Sequence, residues 1–178
     1  MTPEALVLAE AFADDPLMTY FWPRVERRRR ALPLFWESRV EARRRGGIVD
    51  TVSDGEGVVG VVLWELPGVA SPMARPFSLI RALGAAAPRA VAASRRIEGL
   101  RPETPHLYLA VGGRLPRARG KGLVSELVAA RLEASDTDIF VVATNPMSAA
   151  LAQRLGFQPT NELVLDDGVI MKGMLRKA

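Results

Sequence analysis

The chain has 178 residues, 48% of them hydrophobic and 25% charged, with a formal charge of +4, one histidine and no cysteine. That is a globular composition, and residues 1–178 fit a single domain large enough to bury a core. The lack of cysteine removes disulfides, thiolate nucleophiles and cysteine-type zinc sites, and one histidine speaks against a histidine-based metal site. No apolar stretch reaches the length of a membrane span, and the start, MTPEALVLAEAFADDP, carries acids where a leader would carry bases. A soluble, cytoplasmic protein with no membrane role is expected. The mild basic excess suits an anionic ligand and is too small to argue for nucleic acid.

Apolar residues recur at helical spacing from Pro3 to Ala13, and Asp14-Asp15-Pro16 is expected to end that run. A second helix is expected over about Val25 to Arg45, with Leu32, Leu34, Phe35 and Val40 inward and Gly46-Gly47 as its stop. Its block Arg27–Arg30 reads as a solvated face. Ile48–Val52 and Val58–Leu66 are β-branched runs joined by Ser53-Asp54-Gly55-Glu56-Gly57, the chemistry of a hairpin. Residues from about 71 to 100 read as one or two surface helices with a break at Pro88. His106–Arg114 reads as a strand, Gly122–Ala134 as a helix, and the nearly continuous apolar run Asp138–Thr144 as a strand covered on both faces. Asn145-Pro146 is a helix start and Gly156 a helix end. Leu163–Leu165 and Val169–Leu175 flank Asp166-Asp167-Gly168 as another hairpin. The order predicts an α/β fold, a mixed central sheet with helices on both faces.

The stretch RLPRARGKGLVSELVAARLEA, Arg114 to Ala134, carries the chemistry. A strand, a glycine turn and a helix make an anion site because the first helical turn has unpaired N–H groups and a partial positive charge. Glycine then lets a phosphate approach the backbone. Gly120, Lys121 and Gly122 supply the turn; Leu123, Leu127, Val128 and Leu132 supply the buried helix face; Arg119 and Lys121 add charge. On spacing alone, a plain glycine-rich connection explains the stretch equally well. It is neither a Walker A loop nor a dinucleotide fingerprint.

The flanking sequence adds a resemblance. HLYLAVGGRLP, His106 to Pro116, followed by Arg119-Gly-Lys-Gly122, resembles motif A of the GCN5-related N-acetyltransferases. It is most similar to a bacterial branch that includes puromycin N-acetyltransferase. DIFVVATNPMSAALAQRLGF, Asp138 to Phe157, resembles motif B, and "AFADDP" and "IEGL" are similar to the same branch. The resemblance implies that fold, with a parallel strand pair that splays, and acetyl-CoA as the cofactor. It implies pantetheine contacts at Gly112, Gly113 and Arg114, and pyrophosphate contacts at Arg119, Gly120, Lys121, Gly122, Leu123 and Val124. Asn145 is either a contact to the cofactor or a plain helix cap. The implied activity is acyl transfer to a small-molecule amine by direct attack on the thioester, and a homodimer is common in the family.

Three positions depart from the family pattern. Arg117 to Gly122 and Arg119 to Val124 are competing registers for the pyrophosphate loop; the second keeps the spacing to Pro116 and to Leu127-Val128. It places Val124 at a small-residue position, where a branched side chain is expected to crowd a phosphate. Arg114 replaces a valine and is expected to need a phosphate or carboxylate partner. Ala152 stands where many members carry a tyrosine that protonates the leaving thiolate. By resemblance, His106 and Tyr108 are candidates for base and acid; a bonded strand-end histidine and a core aromatic are the plain alternatives. Glu98, Asp14 and Asp15 are carboxylates that could face an amine or serve only as helix and turn residues. A degenerate member that binds an acyl-CoA or a partner chain without turnover remains the alternative reading of the whole.

Overall fold

The computed structural model describes residues 1–69 and 72–178, so position 71, where the helical insertion is expected to begin, lies outside the described residues. Thr2 opens the first helix, α1 (Pro3–Ala11), by accepting from the Ala5 N–H at 3.4 Å. The Asp14-Asp15-Pro16 sequence does more than end that helix. The Asp15 carboxylate accepts from the Leu17 and Met18 N–H groups and opens a further short helix, α2 (Pro16–Phe21), with Pro16 in its first turn. Six residues are too few to show a 3.6-residue period, so periodicity misses α2.

The long helix α3 (Val25–Gly46) appears as expected, with Leu32 and Val40 fully buried and Leu34 and Phe35 half-buried. Its arginine block is not uniformly solvated. Arg28 is buried, and its guanidinium donates to the carbonyls of Ala13 and Trp22, the residues on either side of α2. Arg27 reaches the carbonyls of Arg81 and Ala82 at 2.9 Å each. A guanidinium out of water needs several oxygen partners, and the ends of α2 supply them. Arg28 thereby fixes where Asp15 sits.

The hairpin follows as β1 (Gly47–Asp54) and β2 (Gly57–Glu65). The insertion forms two helices, α4 (Pro76–Leu83) and α5 (Ala87–Glu98), linked by a short 3₁₀ turn; Pro88 lies in the first turn of α5, starting that helix and not breaking one. Then come β3 (Leu107–Arg114), α6 (Leu123–Glu133), β4 (Ile139–Ala143), α7 (Pro146–Arg154), β5 (Gln158–Val164) and β6 (Ile170–Arg176). The six strands form one sheet in the order β1-β2-β3-β4-β6-β5. Only β3 and β4 are parallel, and every other neighbouring pair is antiparallel.

The helices divide between the two faces. On one, Leu8, Phe21, Trp22, Leu32, Trp36 and the small residues Ala82, Ala86 and Ala90 pack on Val61, Leu63 and Val111. On the other, Val124, Val128, Leu132 and Ala152 pack on Val62, Trp64, Ile139 and Met174. Alternation along β2 sends Val61 and Leu63 to one side and Val62 and Trp64 to the other, which is the period-two pattern of a sheet covered twice. No helix among the described residues is long and apolar enough to cross a membrane.

Candidate active site

The parallel pair comes apart. β3 and β4 pair only at Leu107–Ile139, Tyr108–Phe140 and Leu109–Val141, although β3 continues to Arg114 and β4 to Ala143. On its other edge, β3 skips one residue: Trp64 faces Leu109 and Leu63 faces Val111, leaving Ala110 as a bulge. A bulge adds length and twist to one strand, so β3 swings away from β4 where it occurs. Leu115 N–H bonds the Val59 carbonyl at 2.8 Å, toward β2. Alternation then turns the N–H and C=O of Gly112 and Arg114 the other way, into the gap.

Gly113 and Gly112 serve different ends. A Cβ on Gly113 would lie 2.9–3.0 Å from Leu8, Ala11 and Phe12, so α1 seats directly on the strand there. Gly112 has no such crowding, its nearest neighbours being 3.9–4.0 Å away, and it is exposed.

Beyond β3 the chain makes a short 3₁₀ turn at Pro116–Ala118 and reaches α6 through two left-handed glycines, Gly120 (φ 78°) and Gly122 (φ 75°). An L side chain at either would be strained, which is why this loop needs glycine at both. The first helical bond runs from Glu126 N–H to the Gly122 carbonyl, so the N–H groups of Leu123, Val124 and Ser125 have no partner within the helix. Arg117 is held by Asp54, at 3.0 and 3.3 Å, with Glu56 behind it. Among the described residues no ion pair or side-chain hydrogen bond engages Arg114, Arg119 or Lys121. The arginine of the loop without such a partner is thus Arg119 and not Arg117. One acid leans over the turn: Glu126 Oε1 lies 3.0 Å from where a Cβ on Gly122 would be.

Val124 is placed differently from the expectation that it crowds a phosphate. It is 8% exposed and packs inward, its Cγ2 only 2.5 Å from where a Cβ on Gly60 would sit. Gly60 makes room in the sheet for the branched side chain, and the bulk goes into the core. Ala152 is also buried in that core and carries no polar group toward the gap.

Across the gap, at the end of β4, Thr144 Oγ1 donates to Asp15 Oδ2 at 2.7 Å. Asp15 is 9% exposed, and burial raises its pKa above the ordinary 3.8, against the opposing hydrogen bonds from Thr144, Met18 and Leu17. Both carboxylate oxygens thus hold hydrogen bonds, Oδ1 from the Leu17 and Met18 N–H groups and Oδ2 from Thr144, which fixes the group at the end of β4. Asn145 caps α7: its Oδ1 accepts from Ser148 N–H at 2.9 Å, and the Ser148 hydroxyl returns to the Asn145 backbone, a full capping box.

Tyr108 lies on the paired half of β3, and His106 just precedes the strand, which begins at Leu107 and not at His106 as expected. His106 Nδ1 donates to the Thr104 carbonyl at 2.7 Å, and its Nε2 accepts from Arg101 Nε at 3.2 Å. Both ring nitrogens are therefore committed, and none is free to take a proton from a substrate. Tyr108 packs beside Phe140, with the Arg101 guanidinium 4.3 Å from its ring centroid. Burial first, then the Glu65 carboxylate, raises its pKa, with Arg101 opposing. Trp64 turns to the α6 face and donates to Asp50 at 2.9 Å, so it packs and does not border Asp15; exposed Glu98 pairs with Arg101 at 3.2 Å.

A bulged strand leaving its parallel partner thus lies beside an uncapped helix start. No protein-family model matches the chain, and no curated protein matches it. Among solved structures, it is similar to an acetyltransferase of the histone acetyltransferase HPA2 and related type from Corynebacterium glutamicum, at 30% identity over 97% of this chain and 88% of that one, TM-score 0.71. Arylalkylamine N-acetyltransferase 2 from Aedes aegypti is similar at 16% identity over 97% and 93% of the two chains, TM-score 0.53. A mosquito arylalkylamine N-acetyltransferase like 5b is similar at 17% over 97% and 94%, TM-score 0.51. The last two show the fold alone. The first shows the family: the chain belongs to the GCN5-related N-acetyltransferases and is an acetyltransferase by class.

Proposed function

We propose that this protein transfers the acetyl group of acetyl-CoA to the amine of a small molecule, by direct attack of the amine on the thioester. The observation that carries the reading is the pair of features facing each other across the splayed strands. On one side are unpaired backbone donors and three unpaired cations, and on the other is the buried Asp15–Thr144 pair.

The loop fits a diphosphate. Gly120, Gly122, Leu123, Val124 and Ser125 offer backbone N–H groups at a helix start, and Arg119 and Lys121 supply charge. Arg114 would be answered by the same anion. Gly112 and Arg114 would hold the pantetheine amides by strand-like bonds. Asn145 Oδ1 caps α7, and its Nδ2, which donates to Thr144 Oγ1 at 3.5 Å, has a second hydrogen to offer the cofactor. Acetyl-CoA supplies the activated carbonyl. Asp15 accepts the proton of the incoming ammonium, Thr144 holds the carboxylate toward the gap, and Arg28 fixes the short helix that Asp15 caps. Burial leaves Asp15 a better base than a solvated aspartate. Backbone N–H groups at the open edge of β3 are placed to steady charge on the carbonyl oxygen.

The absence of a hydroxyl at Ala152 favours one second reading, a member that binds an acyl-CoA without turnover. A thiolate is a fair leaving group, so loss of an acid slows the step without forbidding it. Calorimetric titration with CoA and acetyl-CoA tests the cofactor, and thiol release with an amine panel tests turnover. Absence of binding to both would remove the cofactor and the reaction together; binding without thiol release would leave the second reading.

A further inference from the structure

Two arginines pair with one half-buried carboxylate, and a third stands near them, on the face of the sheet that carries α1 to α5. Glu65, the last residue of β2, pairs with Arg43 through one oxygen and with Arg101 at 2.7 Å through the other. Arg39 lies one helical turn before Arg43, close enough to feel both Arg43 and Glu65. Arg101 has one further carboxylate, that of exposed Glu98. Positive charge is in excess, and it is unanswered where water is scarce. Arg39 Nε and both Arg43 Nε and Nη1 are buried without a hydrogen-bond partner, and the Arg43 side chain is 7% exposed. Among the described residues the Arg39 side chain has no ion pair or hydrogen bond. Burial, then Arg43, lowers its pKa, with Glu65 opposing. Guanidinium groups in this condition are short of a counter-ion.

Two features connect the cluster with the gap. The Arg39 guanidinium stands 5.3 Å from the Phe35 ring centroid, and Phe35 meets Phe21 of α2, the helix that Asp15 caps, at 6.5 Å. Arg101 covers Tyr108, two residues before the Ala110 bulge and so about 7 Å along the strand from it. Arg39 also lines a cavity of about 150 Å³ together with Ser38, Ala42, Pro72, Met73, Ala74 and Leu79.

We propose that Arg39, with Arg43 and Arg101 beside it, forms an anion subsite, and that the acceptor amine carries a carboxylate that docks there. A planar two-oxygen group matches the guanidinium fork, and it supplies the negative charge that Glu65 alone cannot. The subsite sets the substrate class for the acyl transfer proposed above and rests on that reading for the amine, though not for the anion.

The test uses matched pairs with and without the acid: 4-aminobutyrate and butylamine, 6-aminohexanoate and hexylamine, phenylalanine and phenethylamine. Each is offered with acetyl-CoA to the wild type and to Arg39→Gln. At least one acid should exceed its plain amine by about tenfold in kcat/KM, through KM, and Arg39→Gln should cut that advantage to about twofold or less. Plain amines that match their acids in every pair, or an advantage that survives Arg39→Gln, would overturn the subsite. A second readout does not need turnover: calorimetry with 6-acetamidohexanoate and N-hexylacetamide. Tighter binding of the acid, lost in Arg39→Gln, supports the subsite even if no amine reacts; equal binding of the two overturns it. Turnover of plain amines without preference for acids would leave acyl transfer standing and remove only the subsite.

Discussion

The two halves of β3 are chemical opposites. At Tyr108 and Leu109 the strand is paired on both edges, and the side chains beside it are held: His106 is hydrogen-bonded to Thr104 and Arg101, and the Tyr108 ring packs on Phe140 and the Arg101 guanidinium. From Ala110 onward one edge has no strand partner, the loop beyond it displays free N–H groups, and its Arg119 and Lys121 have no ion pair among the described residues. The difference teaches that resemblance to a family's His-x-Tyr does not mark the reacting end. Groups that a folded chain leaves unsatisfied are the ones with binding energy to spend on a ligand.

The largest test of that division is Asp15→Asn. Asparagine keeps an oxygen for the Leu17 and Met18 N–H groups, so the cap survives. It cannot take a proton, and acetyl transfer should fall by about 10²–10⁴ in kcat while CoA affinity holds. Stability should move the other way. The raised pKa means that the folded chain keeps a proton that the unfolded chain loses above about 3.8. Wild-type stability therefore falls as pH rises from 3.8 through the raised folded value. Asp15→Asn should then melt no lower than wild type at neutral pH. A variant that retained full activity would move the base elsewhere.

Next comes the loop, where paired and free arginines stand two residues apart. Arg119→Ala should weaken CoA binding by about tenfold to a hundredfold, the worth of a charge-assisted bond to phosphate. Arg117→Ala removes only an exposed pair to Asp54 and should leave the affinity within about twofold. Calorimetry on both variants settles the register. A larger loss at Arg117 would restore the register from Arg117 to Gly122.

How much of this was legible in the sequence follows from what each feature depends on. The hairpin, the Asn145-Pro146 start and the strand-turn-helix at Arg114 to Ala134 rest on local chemistry, and they appear as expected. Helix α2 has the same grammar, an Asp before a proline, and was readable at Asp15-Pro16 by the rule that found α7. The Thr144 bond to Asp15 spans 129 residues, and no local pattern announces it. Arg28 was hidden among like neighbours, because only the tertiary path of α2 decides which of four arginines is buried. The fate of Val124 depended on Gly60, a residue in a different strand.

That pairing gives the third test. Val124→Gly was expected from sequence to open the loop to phosphate. With the side chain in the core, it should instead cost about 2–4 kcal/mol of stability, from lost burial, a cavity and a glycine in a helix. Urea unfolding measures the loss, and CoA affinity should stay equal or weaken. Tighter binding would show that the crowding argument was right after all.

The smallest effects belong to the paired half of β3. The Tyr108 hydroxyl has no hydrogen-bond partner among the described residues, so Tyr108→Phe should leave kcat/KM within about threefold, a change far below that of a lost proton-transfer group. His106→Gln is the sharper control, because it removes the only histidine. If Asp15 is the base, the fall of kcat/KM toward acid pH reports a raised carboxylate, and it should persist at the same pH without His106. The direction is fixed: protonation of Asp15 removes the acceptor, so activity drops as pH falls through the raised value. If the acid limb disappeared in His106→Gln and remained in Asp15→Asn, the paired half of β3 would be the reacting end. The free cations across the gap would then bind the cofactor without any share in placing the base.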